Sequence, residues 1–287
     1  MKKNKNKQAD EEVKTSLAVI KRQAEVGEYY PAEEEIFDDI TVFSALFNET
    51  PDQVKNGIRL FELKRYASLL GQVTVRYEIK EKEIFSIMKK SEAFGIGEIL
   101  TTPVYLSGYR NVVNKSEIYD QKVCAVIDFP LGESMLKAKI ADVKACEKFG
   151  VDGYTVVMPA VFVKNLGDFK KQLKKIKGYT EKPVGVAFST EDLDEGDIKS
   201  VFKIAEKLSI DSVTFLFGNQ GEEEILNTAR IIKANKGETE VRILGNVKTA
   251  EAVTQVKKLG ADKVFTPYAV DIAEDLAKRF KVKGIKL

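Results

Sequence analysis

Over 287 residues the chain carries 46 basic and 44 acidic side chains, a formal net charge of +2, with 44% hydrophobic and 31% charged residues; this is the balance of a soluble globular protein with one large core and an appendage. Lysines and glutamates are interleaved, so no single-sign field points to nucleic acid or to a membrane surface, and no run of about 18 apolar residues suggests a membrane span or secretion signal. There is no histidine, which excludes Ser-His and Cys-His catalysis and histidine ligation of zinc, and leaves proton transfer to carboxylates, lysine, tyrosine or water.

Residues 1–12 form a polar tail that cannot bury enough apolar surface to order itself. Residues 13–71 read as a helical extension, because Leu17, Ile20 and Ala24, then Ile36, Ile40, Phe43 and Phe47, then Val54, Ile58, Phe61 and Leu69 recur at three- and four-residue spacing. The stretch 48–52 interrupts that pattern, with Thr50 as an N-cap and Pro51 at the first position of a new helix.

From Gln72 the period changes, and residues 72–287 alternate short β-branched runs with amphipathic helices. The predicted strands are Val73–Tyr77, Ile99–Thr102, Val123–Phe129, Tyr154–Met158, Val184–Phe188, Ser212–Phe217, Val241–Leu244 and Lys263–Thr266. Eight such units imply a parallel sheet closed into an α/β (β/α)8 TIM barrel. Alternation along the strands turns Thr155 with Val157, Thr214 with Leu216, and Arg242 with Leu244 toward the lumen. Cys124 in a strand and Cys146 in a helix lack redox or zinc spacing and read as small core residues of a cytoplasmic protein. No G-x-G-x-x-G follows a strand and no G-x-x-x-x-G-K-[ST] occurs, so no nucleotide motif is present and no cofactor is expected.

Several segments together carry a resemblance. Thr101-Thr102-Pro103, then Val126-Ile127-Asp128-Phe129-Pro130-Leu131-Gly132, then Gly150-Val151-Asp152-Gly153-Tyr154-Thr155-Val156-Val157 follow one another in a single register. Downstream stand Leu208 to Gly218 and Arg242-Ile243-Leu244-Gly245-Asn246-Val247-Lys248-Thr249. Over roughly residues 72–280 this skeleton resembles the deoxyribose-phosphate aldolases, class I aldolases in which a strand-six lysine forms a Schiff base, a strand-seven lysine lowers its pKa and a strand-four aspartate moves protons. The resemblance places Thr214 at the Schiff-base position, Arg242 at the assisting lysine and Thr155 at the aspartate. A threonine hydroxyl cannot form an imine, and an arginine cannot act as a base near neutral pH.

The resemblance also implies a phosphate site in the loops after strands six to eight, at Gly218, Asn219, Gly245, Asn246, Val247, Lys248 and Thr266; the glycines could equally serve only tight turns. Pro267-Tyr268 replaces a small Ser-Ser pair of the family, and proline brings no N–H. Lys164 and Lys248 are the lysines placed on the catalytic face, while most remaining lysines read as solvated helix surface. Asp128, Glu133, Glu191, Asp192 and Glu222–Glu224 could gather around Mg²⁺, or the glutamate run could open a helix; no metal site is assigned.

The expected function is a catalytically inactive deoxyribose-phosphate-aldolase-like barrel that binds a phosphorylated small molecule, or a protein partner through the N-terminal helices, as a homo-oligomer. Two alternatives stay open. One is an active carbon–carbon lyase on a sugar phosphate, using Lys164, Lys248 or a carboxylate-bound metal; the other is an assembly protein that uses the barrel as a scaffold.

Overall fold

The computed structural model describes residues 50–75, 78–115, 121–159, 161–190, 193–217 and 222–285. The expected tail, the helices proposed before residue 50, and Gly218, Asn219, Glu191 and Asp192 lie outside them. The chain divides into two units, residues 1–62 with 280–283, and residues 63–279 with 284–287. Helix α1 (Pro51–Ala67) begins where Pro51 puts it. Thr50 N–H donates to the Gln53 side chain at 2.7 Å and Gln53 N–H returns to Thr50 Oγ1 at 3.3 Å, a reciprocal cap.

Eight parallel strands close into a barrel in chain order: β1 (Leu70–Thr74), β2 (Glu98–Thr101), β3 (Lys122–Ile127), β4 (Gly153–Val157), β5 (Val184–Ser189), β6 (Ser212–Leu216), β7 (Glu240–Leu244) and β8 (Lys263–Thr266). The connecting helices are α2 (Glu81–Phe94), α3 (Leu106–Lys115), α4 (Leu136–Glu147), the short α5 (Val161–Lys164), α6 (Leu166–Lys177), α7 (Glu195–Lys207), α8 (Glu222–Asn235) and α9 (Ala250–Lys258), with α10 (Ala269–Arg279) after β8. Strands covered on both faces need apolar residues throughout, and β3 to β6 are buried along almost their whole length. No described helix is long and apolar enough to cross a membrane.

β1 starts at Leu70 rather than Val73. The alternation of Val73, Val75 and Tyr77 favours the later start. In the barrel Gly71 is a strand residue opposite Phe265, and a Cβ there would lie 2.3 Å from the Phe265 ring. The glycine lets that ring fill the lumen, the close approach that a glycine inside a strand often marks.

Register sorts the lumen into levels. Thr214, Arg242 and Lys263 are successive cross-strand partners, and one pleat further along the strands Leu216, Leu244 and Phe265 are partners in turn. Leu216, Leu244 and Phe265 belong to a packed apolar cluster with Val73, Leu100, Cys124, Val126, Val157 and Ala187, against which Phe129 also rests.

Candidate functional site

Thr155 and Thr214 stand at the middle of β4 and β6, each 1% exposed. Strand alternation places Val157 above Thr155 and Leu216 above Thr214 toward the C-terminal mouth, and both are buried. The two threonines therefore lie beneath the apolar level instead of at the open mouth. Thr214 Oγ1 is buried with no hydrogen-bond partner among the described residues. An unpaired hydroxyl in an apolar setting costs free energy and supplies no activated group.

The Arg242 guanidinium turns toward the beginning of the strands: Nη1 donates to Glu98 Oε1 at 2.7 Å and Nε to Glu240 Oε1 at 2.8 Å, and Glu98 and Glu240 open β2 and β7. Lys263, the first residue of β8, holds the second Glu98 oxygen at 2.6 Å. The Arg242 guanidinium also lies 5.2 Å from the centre of the Phe265 ring. Burial pushes the Glu98 pKa up, but Arg242 and Lys263 together pull it below the ordinary carboxylate value. Burial likewise opposes the charge on Arg242, and Glu98 and Glu240 outweigh it. This network was not legible locally, because Glu98 and Arg242 are 144 residues apart.

At the loops after β7 and β8, several of the expected phosphate groups serve the fold. Gly245 N–H donates to Phe265 O at 3.1 Å. Thr266 Oγ1 donates to Val247 O at 2.7 Å and accepts from Tyr268 N–H at 3.2 Å, so the β8 turn has its hydroxyl and one amide engaged. Asn246 and Lys248 are exposed. The amides of Asn246, Val247 and Lys248 make no hydrogen bond among the described residues, and Lys248 Nζ lies 5.4 Å from the Tyr268 ring centre. Thr249, next in sequence, caps α9 through Ala252 N–H at 3.2 Å.

Lys164 ends α5 and is exposed to solvent. Lys139 is the lysine that the sequence reading missed: it is 0% exposed, not surface. Its three donors go to Asp128, to Gly132 O and, at 2.9 Å, to Val157 O. Asp128, in the left-handed region with φ 62°, also accepts from Ser134 N–H at 2.8 Å and Ser134 Oγ at 2.7 Å. Burial drives the Lys139 pKa below its ordinary value against the pull of Asp128. An ammonium with all three protons engaged and no exposed surface ties the ends of β3 and β4 together and cannot meet a carbonyl substrate. A signal existed: Lys139, Val143 and Cys146 fall on one stripe of α4 at i, i+4 and i+7. Among the described residues no three Asp, Glu or Cys side chains come together as a possible metal site.

No protein-family model matches the chain. It is 26% identical over 224 residues to a deoxyribose-phosphate aldolase of Aquifex aeolicus, covering 77% of this chain and 99% of the relative. It is 24% identical over 216 residues to the deoxyribose-phosphate aldolase of Mycoplasmoides gallisepticum, covering 74% and 95%. Among solved structures it superposes on an aldolase called QR15 with a TM-score of 0.66 at 25% identity, covering 76% of this chain and 99% of that one. It shares the fold of the deoxyribose phosphate aldolase from Aeropyrum pernix, with a TM-score of 0.65 at 19% identity over 78% and 96% of the two chains.

Proposed function

The chain is an aldolase-like barrel related to the deoxyribose-phosphate aldolases, and we propose that it is a catalytically silent relative that binds a phosphorylated metabolite at the loop following β7. One observation carries this reading: Thr214, which the sequence resemblance puts at the Schiff-base position, is a hydroxyl 1% exposed beneath Leu216. Imine formation needs a primary amine with a free lone pair within reach of the substrate carbonyl. Lys263 points into the lumen from the start of β8 and is paired to Glu98, Lys139 is fully engaged, and Lys164 is solvated. The binding half of the proposal rests on the amides of Asn246 to Lys248, which precede the N-terminus of α9, with the Lys248 ammonium beside them.

Borohydride reduction in the presence of deoxyribose 5-phosphate is the direct test. The expected result is no retro-aldol cleavage above background, no lysine adduct by mass spectrometry, and a rise in melting temperature with the phosphosugar that is lost in Lys248→Ala. A reduced adduct on any lysine, together with cleavage, would overturn the silent reading. Thr214→Lys alone should restore little, because the assisting lysine and the aspartate are absent as well and catalytic groups act through one another; Thr214→Lys with Arg242→Lys and Thr155→Asp is the fuller restoration.

A further inference from the structure

A cavity of about 720 Å³ opens at the other end of the barrel, where the strands begin. Its lining includes Glu98 and Lys263, the first residues of β2 and β8, and Lys122, the first residue of β3. Helix α3 contributes Arg110 from the side. The size falls within the range that encloses a small metabolite. We propose that this cavity binds a small, multiply charged anion, a phosphate ester or a polycarboxylate, between Arg110 and Lys122.

The charges divide into two sets. The first is closed on itself: Glu98 and Glu240 are matched by Arg242 and Lys263 through contacts of 2.6–2.8 Å, so it has no net charge for a ligand to neutralise. The second is open. Arg110 and Lys122 are exposed and neither has an ion-pair partner among the described residues. Asp152, the remaining acid in the lining, has one carboxylate oxygen engaged with Val123 N–H at 2.8 Å. Two cations against one partly engaged carboxylate leave the lining positive, and an arginine fork and a lysine ammonium sharing one cavity suit phosphate or carboxylate oxygens.

Two further details favour a ligand over empty solvent space. Gln121, in the lining and 8% exposed, donates through Nε2 to Met88 O at 2.8 Å, while its Oε1 is buried with no partner among the described residues. That oxygen would accept a ligand hydroxyl. At Gly97, also in the lining, an added Cβ would meet nothing within 4 Å. The site lies on the face opposite the loops that carry chemistry in such barrels, so occupancy here is separate from phosphosugar binding at Lys248.

Titration calorimetry of the full chain with inorganic pyrophosphate and with citrate tests the proposal. At least one should bind saturably, and the stronger of the two identifies the phosphate or the carboxylate class. Affinity should fall about tenfold or more in Arg110→Ala/Lys122→Ala, as expected when charge-assisted contacts are removed. Binding should also fail in Gly97→Phe, which fills the cavity without removing charge, and should persist in Lys248→Ala. Saturable binding of neither anion, or binding untouched by the Arg110/Lys122 pair, would refute the site. Loss confined to Lys248→Ala would do the same, and would assign the anion to the loop after β7.

Discussion

The two ends of the barrel lumen are built from the same strands, yet they solve opposite problems. Toward the strand beginnings, Glu98, Glu240, Arg242 and Lys263 form a closed set of ion pairs. One pleat above, Leu216, Leu244 and Phe265 fill the interior with hydrocarbon. The deoxyribose-phosphate aldolase pattern, as the sequence resemblance gives it, would place reactive lysines where this chain has Thr214 and Arg242. Here the arginine has been recruited downward into the charged level, where its planar fork reaches two carboxylates at once, which a lysine point charge would do less well. The comparison teaches that an inward-facing position does not by itself make a catalytic one; the direction of the side chain along the barrel axis decides.

The contrast can be broken most severely from below. Glu98→Ala leaves Arg242 and Lys263 facing each other without their shared carboxylate, and a loss of about 3–5 kcal/mol is expected in denaturant unfolding at pH 7, the usual cost of stranding a buried charge. The same carboxylate sets an acid limit. Its folded pKa lies below its ordinary 4.5, so its contribution is intact above that value and disappears as pH falls through the lower folded one. Stability of the unmodified protein should therefore drop more steeply below about pH 4.5 than that of Glu98→Ala; parallel curves would show that the network is not coupled to protonation. From above, Leu244→Ala removes packing without touching charge, and an expected loss of about 3 kcal/mol should be independent of pH over that range. The smallest effect sits in the row of Arg242: Thr214→Val replaces a hydroxyl that has no partner among the described residues by a methyl group and should raise stability by about 1 kcal/mol. A destabilised Thr214→Val protein would mean that the hydroxyl has a partner.

Much of this architecture was legible in the chain. Lys263–Thr266 is a strand where alternation and β-branching put it, and the inward set Val157, Leu216 and Leu244 follows from period two alone. Thr50 and Pro51 announced the start of α1 by local chemistry. Features made by distant segments were not legible. The place of Gly71 in β1 depends on the Phe265 ring, contributed by the last strand, that is laid over it. Lys139 reads as one more helical lysine until Val157 O, at the end of β4, and Gly132 O, in the loop after β3, arrive as acceptors. The downward course of Arg242 depends on a glutamate from the second strand, and no window of sequence holds both.

That separation has a consequence for how the protein is made. As the chain leaves the ribosome, Glu98 emerges long before Arg242 and Lys263, and for the whole synthesis of β3 to β6 it has no cation waiting for it in the lumen. A nascent chain halted before β7 would have to keep this carboxylate in water or bury it protonated, so the first six units cannot settle into their final interior early. The finished barrel is thus fastened by its last two strands, and pulse-labelled chains arrested ahead of residue 240 should remain protease-sensitive while chains released past β8 resist digestion.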